Sequence, residues 1–137
     1  MTESAFPGEL ALVGGPITAV DLALFAVASG DHNLLHLDAA VARAAGFERP
    51  VVHGMLTMAV VARLFTNRFG AGSVRAFDTR FTGVALLGDT LHVSAALSGT
   101  EDGCARYELR VRTAGGAEIA TGSARIAAAT AATQAIE

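Results

Sequence analysis

Residues 55–62 read MLTMAVVA, and RLFTNRF follows them as far as Phe69. Thr57 is the one polar residue in the first eight, so a helix over this stretch carries apolar side chains on nearly every side. Such a helix is expected to be buried rather than amphipathic. We therefore predict a long buried helix that ends near Phe69 and has a sheet wrapped around it.

The sheet is expected to come from strands in the second half of the chain. Polar and apolar residues alternate there with a period of two, so that one face of each strand is apolar and the other polar. A Glu-Asp-Gly turn at 101–103 and a Gly-Gly turn at 115–116 predict hairpins between neighbouring strands. The segments predicted as strands are 74–85, 90–98, 105–112 and 118–126. Because helices come first and strands afterwards, the order favours an α+β fold.

Two shorter helices are predicted before the long one. Thr18 can cap the first, whose apolar residues recur every three or four positions until Gly30 ends it. Asp38 is a suitable N-cap for a second, Ala-rich helix that ends before Gly46. The loop between these helices is polar, although most of the chain is apolar.

The composition fits one domain that needs no metal or disulfide crosslink. The chain has 137 residues, of which 52% are hydrophobic and 17% are charged. That length is typical of a single domain and is sufficient to bury a core. We expect one domain over 1–127, followed by a frayed, low-complexity C-terminal tail at 128–137.

Charge and cysteine content exclude several classes of function. The net charge is −3 and the sequence has no cluster of basic residues, which nucleic-acid binding or docking on anionic membranes requires. No apolar run approaches the roughly 18–20 residues that span a bilayer, and the first fifteen residues lack the basic start of a signal peptide. The single Cys104 cannot form an internal disulfide, so we expect a cytoplasmic protein. From the charge, we expect its partners to be small molecules or proteins.

The densest group of polar residues lies in the loop at 29–36, which reads SGDHNLLH. Asp31 and His36 stand five residues apart in this turn-rich segment, so the loop can bring their side chains to one point. A neutral histidine can take a proton from water while a nearby carboxyl group holds or delivers another. The alternative is that Asp31 and Asn33 only form an Asx-type turn and that His36 is a core residue with its polar atoms satisfied.

The dipeptide His53-Gly54 opens the long helix and offers a second kind of chemistry. The first backbone N–H groups of a helix have no partner within the helix, and the helix dipole adds partial positive charge there. The amides near Gly54 can therefore hold a carbonyl oxygen as it becomes an oxyanion, and a glycine lets the ligand approach closely. The alternative is that His53 is only a polar cap and Gly54 only a tight bend.

Several stretches of the sequence are similar to one known family. Residues 25–36, followed after five further residues by Ala42, resemble the signature of the MaoC-like dehydratases, the family of (R)-specific enoyl-CoA hydratases and 3-hydroxyacyl-thioester dehydratases. Residues 46–56, which read GFERPVVHGML, resemble the family's entrance to the central helix. The dipeptide at 80–81 and the tetrapeptide at 88–91 resemble the strand pair that follows.

This similarity covers residues 18–126, with two departures from the family's pattern. Leu34 and Val84 stand where the family usually has proline, and neither change removes a reactive group. The resemblance implies a hot-dog fold, in which a curved antiparallel sheet wraps the long helix. It also implies a homodimer, or a larger assembly of dimers, with active sites at the interface between protomers.

The resemblance further implies a reaction. Members of the family add water reversibly across the 2,3 double bond of an enoyl thioester, carried on CoA or on acyl carrier protein, to give a (3R)-3-hydroxyacyl thioester. Carried over to this chain, His36 activates the water that attacks C3, Asp31 orients that water and assists proton delivery to C2, and the Gly54 amide stabilises the thioester enolate. Three further polar residues are predicted to position the water or the substrate: Asn33, Ser29 and His53.

Three alternatives to this hydro-lyase prediction stay open. A hot-dog thioesterase shares the architecture but hydrolyses the thioester, although the Asp-x-Asn-x-x-His pattern of the loop argues against it. A non-catalytic acyl-binding subunit would only shape the tunnel for an active partner. A metal site can be built from Asp31, His32, His36 and Asp38, but their spacing is not that of a regular ligand set, so we predict no metal and no cofactor.

Overall fold

The computed structural model of the protein describes residues 5–128. These residues form three α-helices, which are α1 (Ala19–Ser29), α2 (Ala39–Ala44) and α3 (Gly54–Phe69). They also form five strands, which are β1 (Glu9–Gly14), β2 (Val74–Phe81), β3 (Leu91–Glu101), β4 (Cys104–Thr113) and β5 (Glu118–Ala127). Short 3₁₀ helices cover Leu34–His36 and Ala71–Ser73.

The five strands form one antiparallel sheet in the order β1-β3-β4-β5-β2, so β1 and β2 are its edges. β3 and β4 form a hairpin in which Glu101 pairs with Cys104. The two residues between them, Asp102 and Gly103, have positive φ angles of 52° and 73°, and an Asp-Gly pair favours this kind of turn. The predicted α+β architecture is confirmed.

The edge strands differ from the expectation. β2 ends at Phe81 although the pattern predicts a strand as far as residue 85, because the next two amides, those of Thr82 and Gly83, both donate to Ile119 O and so depart from the regular ladder. β1 is missing from the prediction. Glu9 is the one polar residue among its six, which leaves no alternation of polar and apolar residues to detect.

The core lies between α3 and one face of the sheet. Inward-facing strand residues such as Leu91 and Val93 on β3 and Tyr107 on β4 are at most 2% exposed. The buried residues of α3 are Thr57, Val60, Val61, Leu64, Phe65 and Phe69. The other side of the helix is open, with Met55 62% exposed. The expectation of a helix buried on all sides is therefore wrong for the single chain, because the sheet covers only one side of it.

Capping residues fix both ends of α1 and the start of α2, the two helices on either side of the polar loop. Thr18 forms a capping box with Asp21, in which the Asp21 amide donates to Thr18 Oγ1 at 3.2 Å and the Thr18 amide donates to Asp21 Oδ2 at 2.8 Å. α1 ends at Gly30, whose φ of 77° is a left-handed conformation that glycine adopts without strain. Asp38 Oδ1 accepts from two amides of the first turn of α2 at 2.8 and 3.3 Å. The helix boundaries predicted at Thr18, Gly30 and Asp38 are confirmed.

The connector before α3, which is residues 45–53, is hydrogen-bonded to the loop between β2 and β3, which is residues 82–90. The Val52 amide donates to Ala85 O at 2.8 Å. Arg49 reaches the same loop, where its Nε donates to Leu87 O at 2.8 Å and a terminal nitrogen donates to Asp89 Oδ1 at 3.1 Å. These contacts fix where α3 begins relative to the sheet.

All of the predicted C-terminal tail except Ala128 lies outside the described residues. The prediction of a single domain over 1–127 stays a prediction. Within residues 5–128, none of the helices combines the length and hydropathy that crossing a bilayer requires.

Candidate active site

The polar loop between α1 and α2 is built by its own side chains. Ser29 Oγ donates to a carbonyl of the last turn of α1 at 2.6 Å and accepts from the Asp31 amide at 3.2 Å. Asp31 Oδ1 accepts from the Asn33 amide at 3.3 Å, and Asn33 Oδ1 accepts from the Leu35 amide at 3.0 Å. Each of these side chains therefore holds the backbone two residues further along, as in Asx-type turns. The successive turns lead from the end of α1 to the 3₁₀ helix that carries His36.

The ring of His36 is oriented by the connector before α3. Its Nδ1 lies 2.6 Å from the carbonyl oxygen of Val51, and the Val51 amide donates to Leu35 O at 2.9 Å. A carbonyl oxygen only accepts, so Nδ1 carries the proton and, in the neutral ring, Nε2 carries the free electron pair. His36 therefore presents Nε2 as a base.

The Nε2 atom of His36 faces the carboxylate of Asp31. The distance from Nε2 to Asp31 Oδ2 is 3.5 Å, and the side chains of His36 and Asp31 are 13% and 50% exposed. This separation is longer than a direct N–H···O hydrogen bond, so both atoms can contact the same small polar molecule. The loop thus brings together a base and a carboxylate five residues apart in the sequence.

His53, the residue before α3, packs against this pair with only 1% of its surface exposed. Its ring stacks on that of His36, with centroids 3.8 Å apart and 23° between the planes. The ring of Phe25 meets it edge-on at 4.9 Å, and its Nε2 lies 3.2 Å from the backbone oxygen of Asp31. Burial lowers the pKa of His53, while the hydrogen bond with Asp31 acts in the opposite direction.

Gly54 is the first residue of α3 and directly follows His53. Within the described residues, the His53 side chain makes no capping hydrogen bond, so the first-turn amides of the helix donate none to it. A Cβ atom added at Gly54 would meet the Phe81 ring at 3.4 Å. The start of α3 therefore offers backbone N–H groups next to an aromatic side chain of the edge strand β2.

Asp31, His36 and His53 also form the one group of potential metal ligands among residues 5–128, with one ligand atom of each within 4.8 Å of the others. A metal ion needs the lone pairs of its ligands to converge on one point. The two imidazole rings are instead stacked, and His53 Nε2 directs its proton at Asp31 O. His32 and Asp38, considered as ligands from the sequence, are not part of this group. The arrangement suits proton transfer better than metal binding.

The sequence matches one protein family over most of its length. The family profile described as MaoC like domain matches residues 10–117. The chain belongs to the MaoC-like domain family. It is 35% identical to the (R)-specific enoyl-CoA hydratase of Aeromonas caviae over 121 residues, which cover 85% of this chain and 90% of that enzyme.

A solved structure with the same fold is the (R)-hydratase from A. caviae involved in PHA biosynthesis. The match has a TM-score of 0.82 and 29% sequence identity, and it covers 91% of this chain and 98% of that one. The hot-dog fold and the MaoC-like family implied by the sequence are therefore confirmed.

Some MaoC-like relatives are much longer proteins. The chain is 38% identical over 72 residues to the peroxisomal hydratase-dehydrogenase-epimerase of Saccharomyces cerevisiae, but it spans only 8% of that enzyme's length. That similarity concerns one part of the yeast enzyme, so its several activities do not transfer to this chain.

Three contacts of the site come from residues outside the predicted site, although all three residues lie in stretches that resemble the MaoC-like family. The Val51 group that orients His36 is a backbone carbonyl, which any residue type at that position supplies. Phe25 contacts the His53 ring. Phe81 lies against the position that a Cβ atom at Gly54 would take. In the sequence, however, both look like ordinary apolar positions of a helix and a strand.

The three residues predicted to position water or substrate lie in different surroundings. Ser29 and Asn33 are exposed and hydrogen-bond to the loop's own backbone. His53 is buried and contacts His36 and Asp31. The roles of Ser29, Asn33 and His53 in a reaction stay predictions.

Proposed function

We propose that this chain catalyses the reversible addition of water to 2-enoyl thioesters, which gives (3R)-3-hydroxyacyl thioesters. The observation that carries the proposal is the Asp31–His36 pair, whose Oδ2 and Nε2 atoms lie 3.5 Å apart. Similarity to an (R)-specific enoyl-CoA hydratase over most of both chains supports the same reaction and handedness.

His36 is the base that activates water. Its Nδ1–H is held by Val51 O, so Nε2 accepts a proton from the water while the water oxygen bonds to C3. The Asp31 carboxylate faces Nε2 and orients the same water through its other hydrogen. General acid–base catalysis of this kind contributes about 10²–10⁴ in rate.

The thioester oxygen binds at the start of α3. Attack at C3 places negative charge on this oxygen as an enolate, and the Gly54 amide at the positive end of the 16-residue helix stabilises it. The enolate then takes a proton at C2, which the Asp31 carboxyl group relays from His36. One water molecule has been added, the pair has returned to its starting state, and both new bonds lie on the same face of the substrate.

A homodimer, or a larger assembly of dimers, is part of the proposal. Val20, Leu24 and Val27 on α1 are 65%, 65% and 78% exposed, and Met55 on α3 is 62% exposed. A groove of about 400 Å³ between α1 and α3 is lined mainly by apolar side chains. Apolar side chains exposed together in this way are typical of protein interfaces, so we infer that a second copy covers this surface.

The carrier of the acyl group is CoA or an acyl carrier protein, and the similarity to an enoyl-CoA hydratase favours CoA. We also propose a cytoplasmic location. Its basis is that Cys104 is a free thiol with no second cysteine in the sequence to pair with.

Incubation of the purified protein with crotonyl-CoA tests the proposed reaction. Hydration is expected to remove the absorbance of the enoyl thioester without releasing free thiol, and chiral analysis of the product is expected to find the (3R) alcohol. Release of free CoA would identify a thioesterase instead. A protein that is inactive on its own would favour the non-catalytic acyl-binding subunit and would overturn the proposal.

A further inference from the structure

His53 is a buried polar side chain beside the Asp31–His36 pair, with only 1% of its surface exposed. A side chain so enclosed contacts protein groups rather than solvent. We propose that His53 is a positioning residue: its ring supports the face of His36 and its Nε2–H holds the backbone of Asp31, so that one side chain sets the separation of the two groups. This inference rests on the hydration reaction proposed above and adds a positioning residue to its acid–base pair.

The direction of one hydrogen bond fixes the tautomer of His53. Its Nε2 lies 3.2 Å from Asp31 O, and because a carbonyl oxygen cannot donate, Nε2 carries the proton. In the neutral ring Nδ1 is then unprotonated, and it is buried with no hydrogen-bond partner among residues 5–128. A second proton at Nδ1 would be a buried donor with nothing to accept it, which is unfavourable.

The surroundings of His53 favour the same uncharged form. Burial lowers the pKa of His53 and repulsion from a protonated His36 lowers it further, whereas Asp31 acts in the opposite direction through its hydrogen bond and its charge. Asp31 and His36 are the titratable groups that face His53. The other neighbour, Phe25, is apolar, and its ring centroid lies 4.9 Å from that of His53. An uncharged ring in this position does not repel His36 when His36 takes up a proton from water.

Two contacts of different kinds hold the His36 ring. Val51 O lies 2.6 Å from its Nδ1, but a single hydrogen bond leaves the ring free to turn about the line between the two atoms. The His53 ring lies against its face, with centroids 3.8 Å apart, and restricts that rotation. Since His53 also holds Asp31 O, a displacement of His53 would shift both sides of the gap between His36 and Asp31.

NMR of the histidine nitrogens in the wild-type protein tests the tautomer without any substrate. We expect His53 to carry its proton on Nε2 at neutral pH. We also expect it to stay uncharged further into acid than a free imidazole, whose pKa is about 6.5. A charged ring at neutral pH, or a proton on Nδ1, would overturn the inference. Because this measurement needs no turnover, its failure is distinguishable from failure of the proposed hydration reaction.

Two substitutions separate the two contacts of His53. His53→Phe keeps an aromatic face for His36 but cannot donate to Asp31 O, whereas His53→Gln keeps an N–H at a similar reach but has no aromatic face. We expect each to lower kcat for crotonyl-CoA by about 10²-fold, which is typical of a misplacement on the order of 1 Å, with little change in KM. His92→Gln, at an exposed position of β3, is the matched control and should keep the wild-type kcat.

The acidic limb of the pH–rate profile distinguishes positioning from proton transfer. The limb should persist in both His53 variants, since His36 remains as the base. Loss of the limb in His53→Phe would make His53 itself the base, and an unchanged kcat in both variants would remove it from the site. Either result overturns the inference. Thermal melting monitors folding, and if a variant does not fold, the NMR measurement on the wild-type chain decides alone.

Discussion

The sheet and the polar loop of this protein are stabilised by different kinds of interaction. The sheet and α3 share a core in which side chains such as Phe65, Tyr107 and Val111 have no exposed surface. The loop at 29–36 is instead held by hydrogen bonds from polar side chains to backbone amides two residues further along. Apolar packing tolerates residues of similar size, whereas the loop depends on particular polar atoms. Stability is thus concentrated in one region and the proposed chemistry in the other, and substitutions should affect them separately.

The largest effect on chemistry alone is expected for the Asp31–His36 pair. Asp31→Asn keeps an oxygen for the Asn33 amide, and His36→Asn keeps an N–H for Val51 O, so both should preserve the loop. Each should lower kcat for hydration of crotonyl-CoA by about 10³-fold and leave the melting temperature close to that of the wild type. Near wild-type loss of the enoyl absorbance in either variant would remove that residue from the reaction.

The reverse pattern is expected in the core. Leu64 is 5% exposed and lies about 15 Å along α3 from Gly54. Leu64→Ala leaves a cavity and should lower the free energy of unfolding by about 3 kcal/mol, measured by urea denaturation, without changing kcat per folded molecule. Asn67→Ala, at an exposed position of the same helix, should change neither quantity. A large loss of kcat in fully folded Leu64→Ala would show that core and site are not separable.

A smaller effect is expected at Gly54, which begins α3 directly after His53, the residue that contacts the polar loop. A Cβ atom there would lie 3.4 Å from the Phe81 ring, which is close to ordinary van der Waals contact, so Gly54→Ala should fold. The added methyl group restricts the approach of the thioester oxygen to the amide, and kcat/KM should fall by about tenfold, or about 1.4 kcal/mol. Gly72→Ala is the matched control, because a Cβ at Gly72 meets nothing within 4 Å. Unchanged kcat/KM in Gly54→Ala would argue against an oxyanion site at this helix start.

The smallest expected effect concerns the pH dependence of stability. The pKa of His53 is lowered in the folded protein, mainly by burial. In mild acid the unfolded chain therefore binds a proton that the folded chain does not. The free energy of unfolding should fall as the pH drops below about 6.5, and His53→Phe should lack this part of the fall. Urea denaturation of both proteins on either side of that pH measures the difference, and an equally steep fall in the variant would mean that the wild-type ring is not kept uncharged.

How well the sequence predicts each region follows from the same difference. The period of two over 105–112 identifies the buried face of β4, because burial acts on every second residue of a strand. The open side of α3 is not predicted. An apolar residue such as Met55 looks the same in the sequence whether it faces the sheet of its own chain or the surface of the folded chain.

In the site, contacts within the loop are predictable and contacts between loops are not. Gly30 ends α1 and Asp38 begins α2. Because Asp31 and His36 both lie between these two signals, the sequence places them in the same short loop. His53 meets the Asp31 backbone across 22 positions of the sequence. That contact depends on how the connector before α3 is held against the β2–β3 loop, and no local pattern records it.

The sharpest test of the proposed proton transfer is a crystal structure of the protein with bound (3R)-3-hydroxybutyryl-CoA, because it locates the oxygen atom that comes from water. We predict that the 3-hydroxyl oxygen lies within hydrogen-bond distance, about 2.6–3.2 Å, of both His36 Nε2 and an Asp31 carboxylate oxygen. The thioester oxygen should lie at the Gly54 amide. A bound product whose 3-hydroxyl group contacts neither side chain, in an enzyme that hydrates crotonyl-CoA, would contradict the assignment of Asp31 and His36 as the acid–base pair.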